Sequence, residues 1–452
     1  MKKTVPILLL NRANVERFFA ARRQGSTRAM RDASRIVADV RKRGDEAVVA
    51  WTRKFDRVTL RPAQFWVSEA ERRAARRSVE PSLWRAIEHA ARNIRRVAEQ
   101  QKPREWSVQV ERGVRVAQRV TPIQTIGCYI PGGRASLVST LLMTAVTARV
   151  AGVRRIIVAC PKPNTAMLAA AEMLGVTEIL RIGGAQAIAA MAYRTATVPQ
   201  VDKIFGPGNR WVDAAKRIVS SDCAVDLLAG PTEVLVLAER GNQDWIAADL
   251  IAQGEHDPDA VAVLVTSSEG LARAVAEAIE TQLGELPASN PAQRSLRKSG
   301  TIFVTPNRTA AFEFANRFAP EHLSLPDRTA VPKEIQAAGS VFVGPYAAQP
   351  IGDYASGTNH VLPTSGWARA RGGLSAWDFV KCTTVQQITR EGLRRLAPVV
   401  RALADAEGLL AHGRAVTRRE KEGAKMRLGA GTHPKRVGLR RTGRNVGKRE
   451  RL

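Results

Sequence analysis

The stretch RIIVACPKPNTAMLAAAEMLGVTEILRIGGAQAIAAMAY, residues 155–193, decides the fold. The β-branched run Ile156 to Ala159 gives way to an Ala-rich helical window, then to a second apolar run, Ile179 to Ile182, and a second Ala-rich window. Strand alternating with helix at this spacing is the mark of βαβ units and a parallel sheet. The same texture continues through Val201 to Phe205 and Val234 to Leu237, and returns in Val261 to Thr266, the helical window Glu269 to Leu283, and Thr301 to Val304. Upstream, residues 12–105 repeat apolar positions every three or four residues, through Ala29 to Trp51 and Leu83 to Val97, as amphipathic helices do. Downstream, Arg395 to Leu410 reads as a further helix.

The expected fold is therefore α/β, with two Rossmann-like parallel-sheet lobes and helical extensions at both ends. The expected segments are an N-terminal extension (1–25), a first lobe from residues 26–119 and 233–372, a second Rossmann-like lobe (120–232), a C-terminal helical segment (373–424) and a basic tail (425–452). Glycines at 423, 429, 431, 438, 443 and 447 and little apolar content predict disorder for that tail.

Composition narrows the function classes. The chain of 452 residues is 44% apolar, enough for two or three cores. No apolar stretch reaches the about 18 residues of a membrane-crossing helix, and the run Val5 to Leu10 lacks the length and cleavage site of a secretory signal, so the expected location is the cytoplasm. Cys128, Cys160, Cys223 and Cys382 form no CxxC pair and read as buried free thiols. The net charge of +28 would point to polyanions, yet residues 413–452 hold 14 Lys or Arg against three Glu and carry +11 of it. The remaining basic residues are scattered among apolar ones, as on solvated helix faces, and no specific nucleic-acid site is expected.

Glycine clusters at Pro131-Gly132-Gly133, Gly183-Gly184 and Gly206-Pro207-Gly208 lie near strand ends, where a doubly wound sheet opens its ligand crevice. None completes GxGxxG, and glycine also simply makes turns.

Four polar segments carry the chemistry. In Ala252-Gln253-Gly254-Glu255-His256-Asp257-Pro258 the proline ends a helix, so Gln253 and His256 share the face of its last turn, and there they either hold one ion or form a solvated helix end. In Ala319-Pro320-Glu321-His322-Leu323 two titratable groups follow a proline that starts a new turn, and consecutive helical positions about 100° apart suit separate acid/base duties. The run Gly352-Asp353-Tyr354-Ala355-Ser356-Gly357-Thr358-Asn359-His360 shows no period and is costly to order unless something binds it; Asp353 is a hard anionic ligand candidate and His360 a substrate contact. In Glu407-Gly408-Leu409-Leu410-Ala411-His412, Gly408 offers a bend that brings both polar residues toward one ligand, or both are plain helix-surface residues.

Together QGEHDPDA, APEHL, GDYASGTNHVLP and AEGLLAHGRAV, in that order and spacing, resemble the histidinol dehydrogenase family, and GCYIPGGRASLVST, GGAQAIAAMAY, VDKIFGPGN and LAGPTEVLV extend the likeness over roughly residues 15–418. The resemblance implies oxidation of L-histidinol by way of L-histidinal to L-histidine with two NAD+, in a homodimer with one Zn2+ per site. It implies zinc ligands at Gln253, His256, Asp353 and His412, acid/base residues at Glu321 and His322, further substrate contacts at Thr232, His360 and Glu407, and NAD+ contacts at Tyr129, Gln186 and Asn209 in the lobe 120–232. It also implies that the C-terminal segment crosses to the partner, so that Glu407 and His412 complete the neighbour's site. Thr232 stands where the family commonly has Ser, Gly254 where it has Ala, and Arg134 at a commonly neutral position; the basic tail lies outside the family pattern. Two other readings are a relative that oxidises a different alcohol with the same zinc and NAD+ machinery, and a nucleic-acid-binding protein led by its tail.

Overall fold

The structure is a computed structural model that describes residues 4–22, 27–132, 137–227 and 230–425. Arg134 and the tail beyond residue 425 lie outside the described residues, so the readings made of them rest on sequence alone. Contacts divide the chain into two units, one of residues 1–104 and 120–381 and the other of residues 105–119 and 382 onward.

In chain order, β1 (Ile7–Leu9) is followed by β2 (Trp106–Glu111) and β3 (Val114–Pro122), then by β4 (Thr125–Tyr129), β5 (Arg155–Ala159), β6 (Glu178–Leu180), β7 (Lys203–Phe205) and β8 (Ala224–Val225). Then come β9 (Glu233–Leu237), β10 (Val261–Thr266), β11 (Thr301–Val304), β12 (His322–Leu325), β13 (Ser340–Val343) and β14 (Val380–Ile388). The first unit holds two sheets, ordered β6-β5-β4-β7-β8 and β1-β11-β10-β9-β12-β13, and their pairings are parallel. Without β1 the two orders are the same doubly wound pattern used twice, with switch points between β4 and β7 and between β9 and β12. Both expected lobes are present.

The grouping of the N-terminal helices differs from expectation. Along β5, Ile156 and Val158 face one core while Ile157 and Ala159 face another, the two-residue period of a strand buried on both faces. Ile87 and Ile94, of the helix Pro81–Gln101, enter the first of these cores; Ala33, Ile36, Val37 and Val48, from the helices Thr27–Arg43 and Asp45–Asp56, enter the second. Residues 27–101 thus cover the five-stranded sheet rather than joining residues 233–372. Val361, Leu374 and Phe379 also fill its core, so the chain returns to that lobe before residue 372, and the C-terminal unit starts at Cys382 rather than at 373.

The expected N-terminal extension is part of a lobe as well. β1 pairs with β11, and Phe18 of the helix Arg12–Arg22 packs edge-on against Phe303 and beside Phe314 and Phe318. Three cysteines are buried as expected, but Cys382 is exposed. Among the described residues no helix is long and apolar enough to cross a membrane.

In the second unit β2 and β3 are antiparallel and meet at Gly113, whose positive φ of 83° suits the tight turn. The expected helix over 395–410 is observed as Arg390–Ala406, and a second helix, Leu410–Lys425, follows. An Arg401–Glu420 ion pair joins the two.

Candidate active site

Six of the polar residues named from the sequence, Thr232, Gln253, His256, Glu321, His322 and Asp353, meet at the heads of β9 and β12 or at helix ends beside them. These strands pair with His322 opposite Val234, while Glu233, the first residue of β9, pairs with Val261 of β10 on the other side. Its N–H donates to Glu321 Oε2 at 2.8 Å, and its carbonyl contacts His322 Nδ1 at 3.1 Å. The helical geometry expected for Glu321 and His322 is corrected here. The helix Arg308–Phe318 stops at Ala319 in the left-handed region (φ 47°), and Pro320 sends the chain through Glu321 into β12, which starts at His322; the two side chains still approach, with His322 Nδ1 3.7 Å from Glu321 Oε2. Both are buried, Glu321 at 6% and His322 at 3% exposure.

Thr232 joins this pair to the metal-helix candidates. Its hydroxyl donates to Glu321 Oε2 and contacts Gln253 Nε2, each at 2.5 Å. A hydroxyl has one proton; once that proton is on the carboxylate, Thr232 must accept from Gln253, which fixes the amide's orientation. Gln253 Oε1 is then left without a hydrogen-bond partner among the described residues, on a side chain of 0% exposure. Such an orphan is costly unless something outside the chain uses it.

Gln253 and His256 occupy the last turn of the helix Gln243–His256, as the proline reading requires. Asp353 is not in an irregular loop as expected but in the helix Gln349–Tyr354, whose Gln349 Nε2 donates to Asp353 Oδ2. The Asp353 carboxylate lies 3.5 Å from His256 Nε2 and 3.6 Å from His322 Nε2. Burial pushes its pKa up, but the neighbouring imidazoles of His256 and His322 outweigh this and hold it well below the usual range. Asp353 in turn raises His256. Burial pulls His322 down, yet Glu321 and Asp353 together leave it raised. Glu321 is raised by burial, against the pull of His322 and Thr232.

His360 contacts the Asp353 carbonyl through Nδ1 at 2.9 Å and Thr140 Oγ1 through Nε2 at 3.1 Å, and burial lowers its pKa. The loop that carries it lies against the helix Pro81–Gln101: Asn93 donates to the Ala355 carbonyl, and a Cβ on Gly357, at φ 93°, would come within 2.5 Å of Asn93 O.

Among the described residues no three His, Cys, Asp or Glu side chains form a group placed to hold a metal. The donors gathered in the first unit nevertheless fit one: an orphaned amide oxygen, an imidazole and a carboxylate held anionic, with no thiolate, suit a borderline divalent ion. Glu407 and His412, the remaining expected contacts, belong to the second unit. Glu407 caps the helix Arg390–Ala406, Gly408 breaks it at φ 71°, and His412 sits in the first turn of the next helix; both side chains are exposed within the chain.

Tyr129, Gln186 and Asn209 lie at or just beyond the C-terminal ends of β4, β6 and β7, the usual crevice of a doubly wound sheet. Tyr129 Oη accepts from Gly184 N at 3.1 Å, and burial pushes its phenol up to about 12. Gln186 is 1% exposed, and both of its amide atoms lack partners among the described residues. Asn209 caps the helix Arg210–Val219 by accepting from Trp211 N and Val212 N. Gly206, at φ 108°, lets that loop close on β4, since a Cβ there would come within 2.1 Å of Tyr129 O.

Sequence reading missed Glu233, Arg22 and Gln349. Glu233 carried a signal, an acid heading the otherwise apolar run Glu233-Val234-Leu235-Val236-Leu237. Arg22 and Gln349 carried none, because their partners lie far away in the chain or along an unrecognised helical turn.

Known proteins bear the same pattern. The histidinol dehydrogenase family pattern matches residues 20–420. Histidinol dehydrogenase of Aquifex aeolicus is 44% identical over 390 residues, covering 86% of this chain and 91% of that protein. Its counterpart in Methanothermobacter thermautotrophicus is 46% identical over 394 residues, covering 85% and 92%. The crystal structure of histidinol dehydrogenase from Elizabethkingia anophelis superposes with a TM-score of 0.88 at 35% identity, covering 94% of this chain and all of that one. Matched over most of its length in sequence and fold, the chain belongs to the histidinol dehydrogenase family.

Proposed function

We propose that this enzyme oxidises L-histidinol by way of L-histidinal to L-histidine, using two NAD+ and one Zn2+ per site, as a cytoplasmic homodimer. The observation that carries the metal assignment is Gln253 Oε1: buried, orphaned, and turned away from Thr232 by a hydroxyl with no second proton to give. Gln253, His256 and Asp353 would hold the ion together with His412 of a second copy, and bound Zn2+ would supply a fixed positive charge that orients the substrate's imidazole and amine.

In the first oxidation His322 would take the alcohol proton, with bound NAD+ supplying the hydride acceptor. The contact of Nδ1 with the Glu233 carbonyl makes Nδ1 the protonated nitrogen, so Nε2 carries the lone pair; Nε2 has no hydrogen-bond partner among the described residues. In the second, Glu321 would take a proton from the water that hydrates the aldehyde, and a second NAD+ would again supply the hydride acceptor. Thr232 and the Glu233 N–H both bond Oε2, which leaves Oε1 for that water. Burial, which raises the Glu321 pKa, makes it a stronger base than an exposed carboxylate. Tyr129, Gln186 and Asn209 line the crevice in which the dinucleotide would lie.

A second copy as partner is supported by the second unit, which leaves Trp106, Val108, Val110, Leu403, Leu409 and Leu410 exposed, an apolar surface expected to be covered. The test is NADH formation from histidinol in purified enzyme, with chelator and then zinc added back. NADH that requires histidinol, stops with chelator and returns with zinc is expected. Absent NADH with histidinol, together with oxidation of another amino alcohol, assigns a different substrate.

A further inference from the structure

Glu233 is 1% exposed at the head of an apolar strand, in a place where a carboxylate is expensive. Its Oε1 is paired with the Arg22 guanidinium and accepts from Ser365 N at 3.1 Å, while Oε2 has no partner among the described residues. Burial pushes the acid up to about 7 against the pull of Arg22. Buried ion pairs are commonly replaceable by apolar residues at little or no cost in stability, so stability does not explain this one.

Its placement does. The Glu233 peptide is the one that touches both reacting side chains, by its N–H to Glu321 and by its carbonyl to His322. Arg22 reaches the other flank too, since its guanidinium lies 4.2 Å from the ring centre of Phe318, the last residue of the helix that leads through Ala319 and Pro320 into Glu321. The two approaches to the pair are thereby tied to one guanidinium from the N-terminal helix. Backbone strain gathers here as well: of the four described non-glycine residues with positive φ, Ala319 precedes the pair and Ser365 donates to Glu233.

We infer that Glu233 is a positioning residue that sets Glu321 and His322 relative to each other, and that the Arg22 ion pair locks it in place. The inference rests on reading Glu321 and His322 as the acid/base pair. It requires no contact between Glu233 and substrate, so its loss should appear in turnover rather than in binding.

The test uses the full-length, zinc-loaded enzyme. Glu233→Gln and Arg22→Met are expected to lower kcat by roughly ten- to a hundredfold, the range for an ångström-scale misplacement of reacting groups. The KM for histidinol and the bound zinc should stay within about twofold. Arg22→Lys, which keeps the charge, should recover most of the loss, which a merely volumetric role would not predict. Should Glu233→Gln fail to fold, the Arg22 pair of variants decides alone. A kcat within about twofold of the parent in Arg22→Met, or a loss matched by rising KM and lost zinc, overturns the inference. Glu321→Gln and His322→Asn separate the two levels: if they leave turnover intact the acid/base assignment itself is wrong, and if they abolish it while Arg22→Met does not, only the positioning role falls.

Discussion

Thr232 accepts a 2.5 Å hydrogen bond from Gln253 Nε2 because its own proton is committed to Glu321. The hydroxyl therefore decides which amide atom a cation would meet. Thr232→Val keeps the shape but removes the acceptor, freeing the amide to turn. Zinc affinity is expected to fall about 10- to 100-fold, the usual effect of losing a group that orients a metal ligand. Thr232→Ser, which keeps the hydroxyl, should stay within a few-fold of the parent. Competition with a coloured chelator measures both, and unchanged affinity in the valine variant would rule out the orienting role.

Gln253, His256 and Asp353 are expected to separate from His322 by metal content. His256→Ala or Asp353→Ala should lower the zinc that survives gel filtration, whereas His322→Asn should keep it and lose turnover. Normal zinc in both of the first two variants would remove them from the ligand set.

Asp353 raises the His256 pKa above its ordinary 6.5. In metal-free protein the contact then stabilises the fold fully below that value and ceases to do so as pH rises through the raised one. Metal binding needs the neutral imidazole, so zinc affinity should strengthen with rising pH across the same window. Titrations between about pH 6 and 8 should show this trend in the parent and a shallower one in His256→Gln. A flat profile in the parent would remove proton competition at His256.

Gly254, which stands where the family commonly has Ala, is closely packed. A Cβ there would come within 2.5 Å of Ser295 Oγ, which donates to the Gly254 carbonyl at 2.9 Å. Alanine would gain about 1 kcal/mol of helix propensity, while displacing a buried hydroxyl costs about 1–3 kcal/mol. Gly254→Ala should therefore lower stability in a denaturant melt, and adding Ser295→Ala should cost nothing further. Strict additivity of the two changes would mean that the contact carries no energy.

Where pattern is local, sequence reading and structure agree closely. The strand expected at Val261 to Thr266 is observed with the same limits, and the helix placed before Pro258 ends at His256. Agreement fails where one segment takes its conformation from another. Glu321 and His322 follow a proline and read as a turn of helix, but β12 forms because the head of β9 is there to pair with it, 88 residues earlier in the chain. The sheet covered by the N-terminal helices is not legible in their sequence, because an amphipathic period says that one face is buried and not against which sheet.

The sequence by itself determined the two parallel-sheet lobes, the shared helical turn of Gln253 and His256, and the likeness to histidinol dehydrogenases, since period and motif spacing are properties of single segments. Only the tertiary structure decided that the proposed acid/base pair, Glu321 and His322, sits at the N-terminal edge of its sheet, against the usual preference for C-terminal ends, while the dinucleotide candidates keep that preference in the other lobe. It also decided that Thr232 turns the Gln253 amide and that Arg22 holds Glu233. Each of these depends on hydrogen-bond direction and strand register between distant residues, which no single stretch of chain encodes.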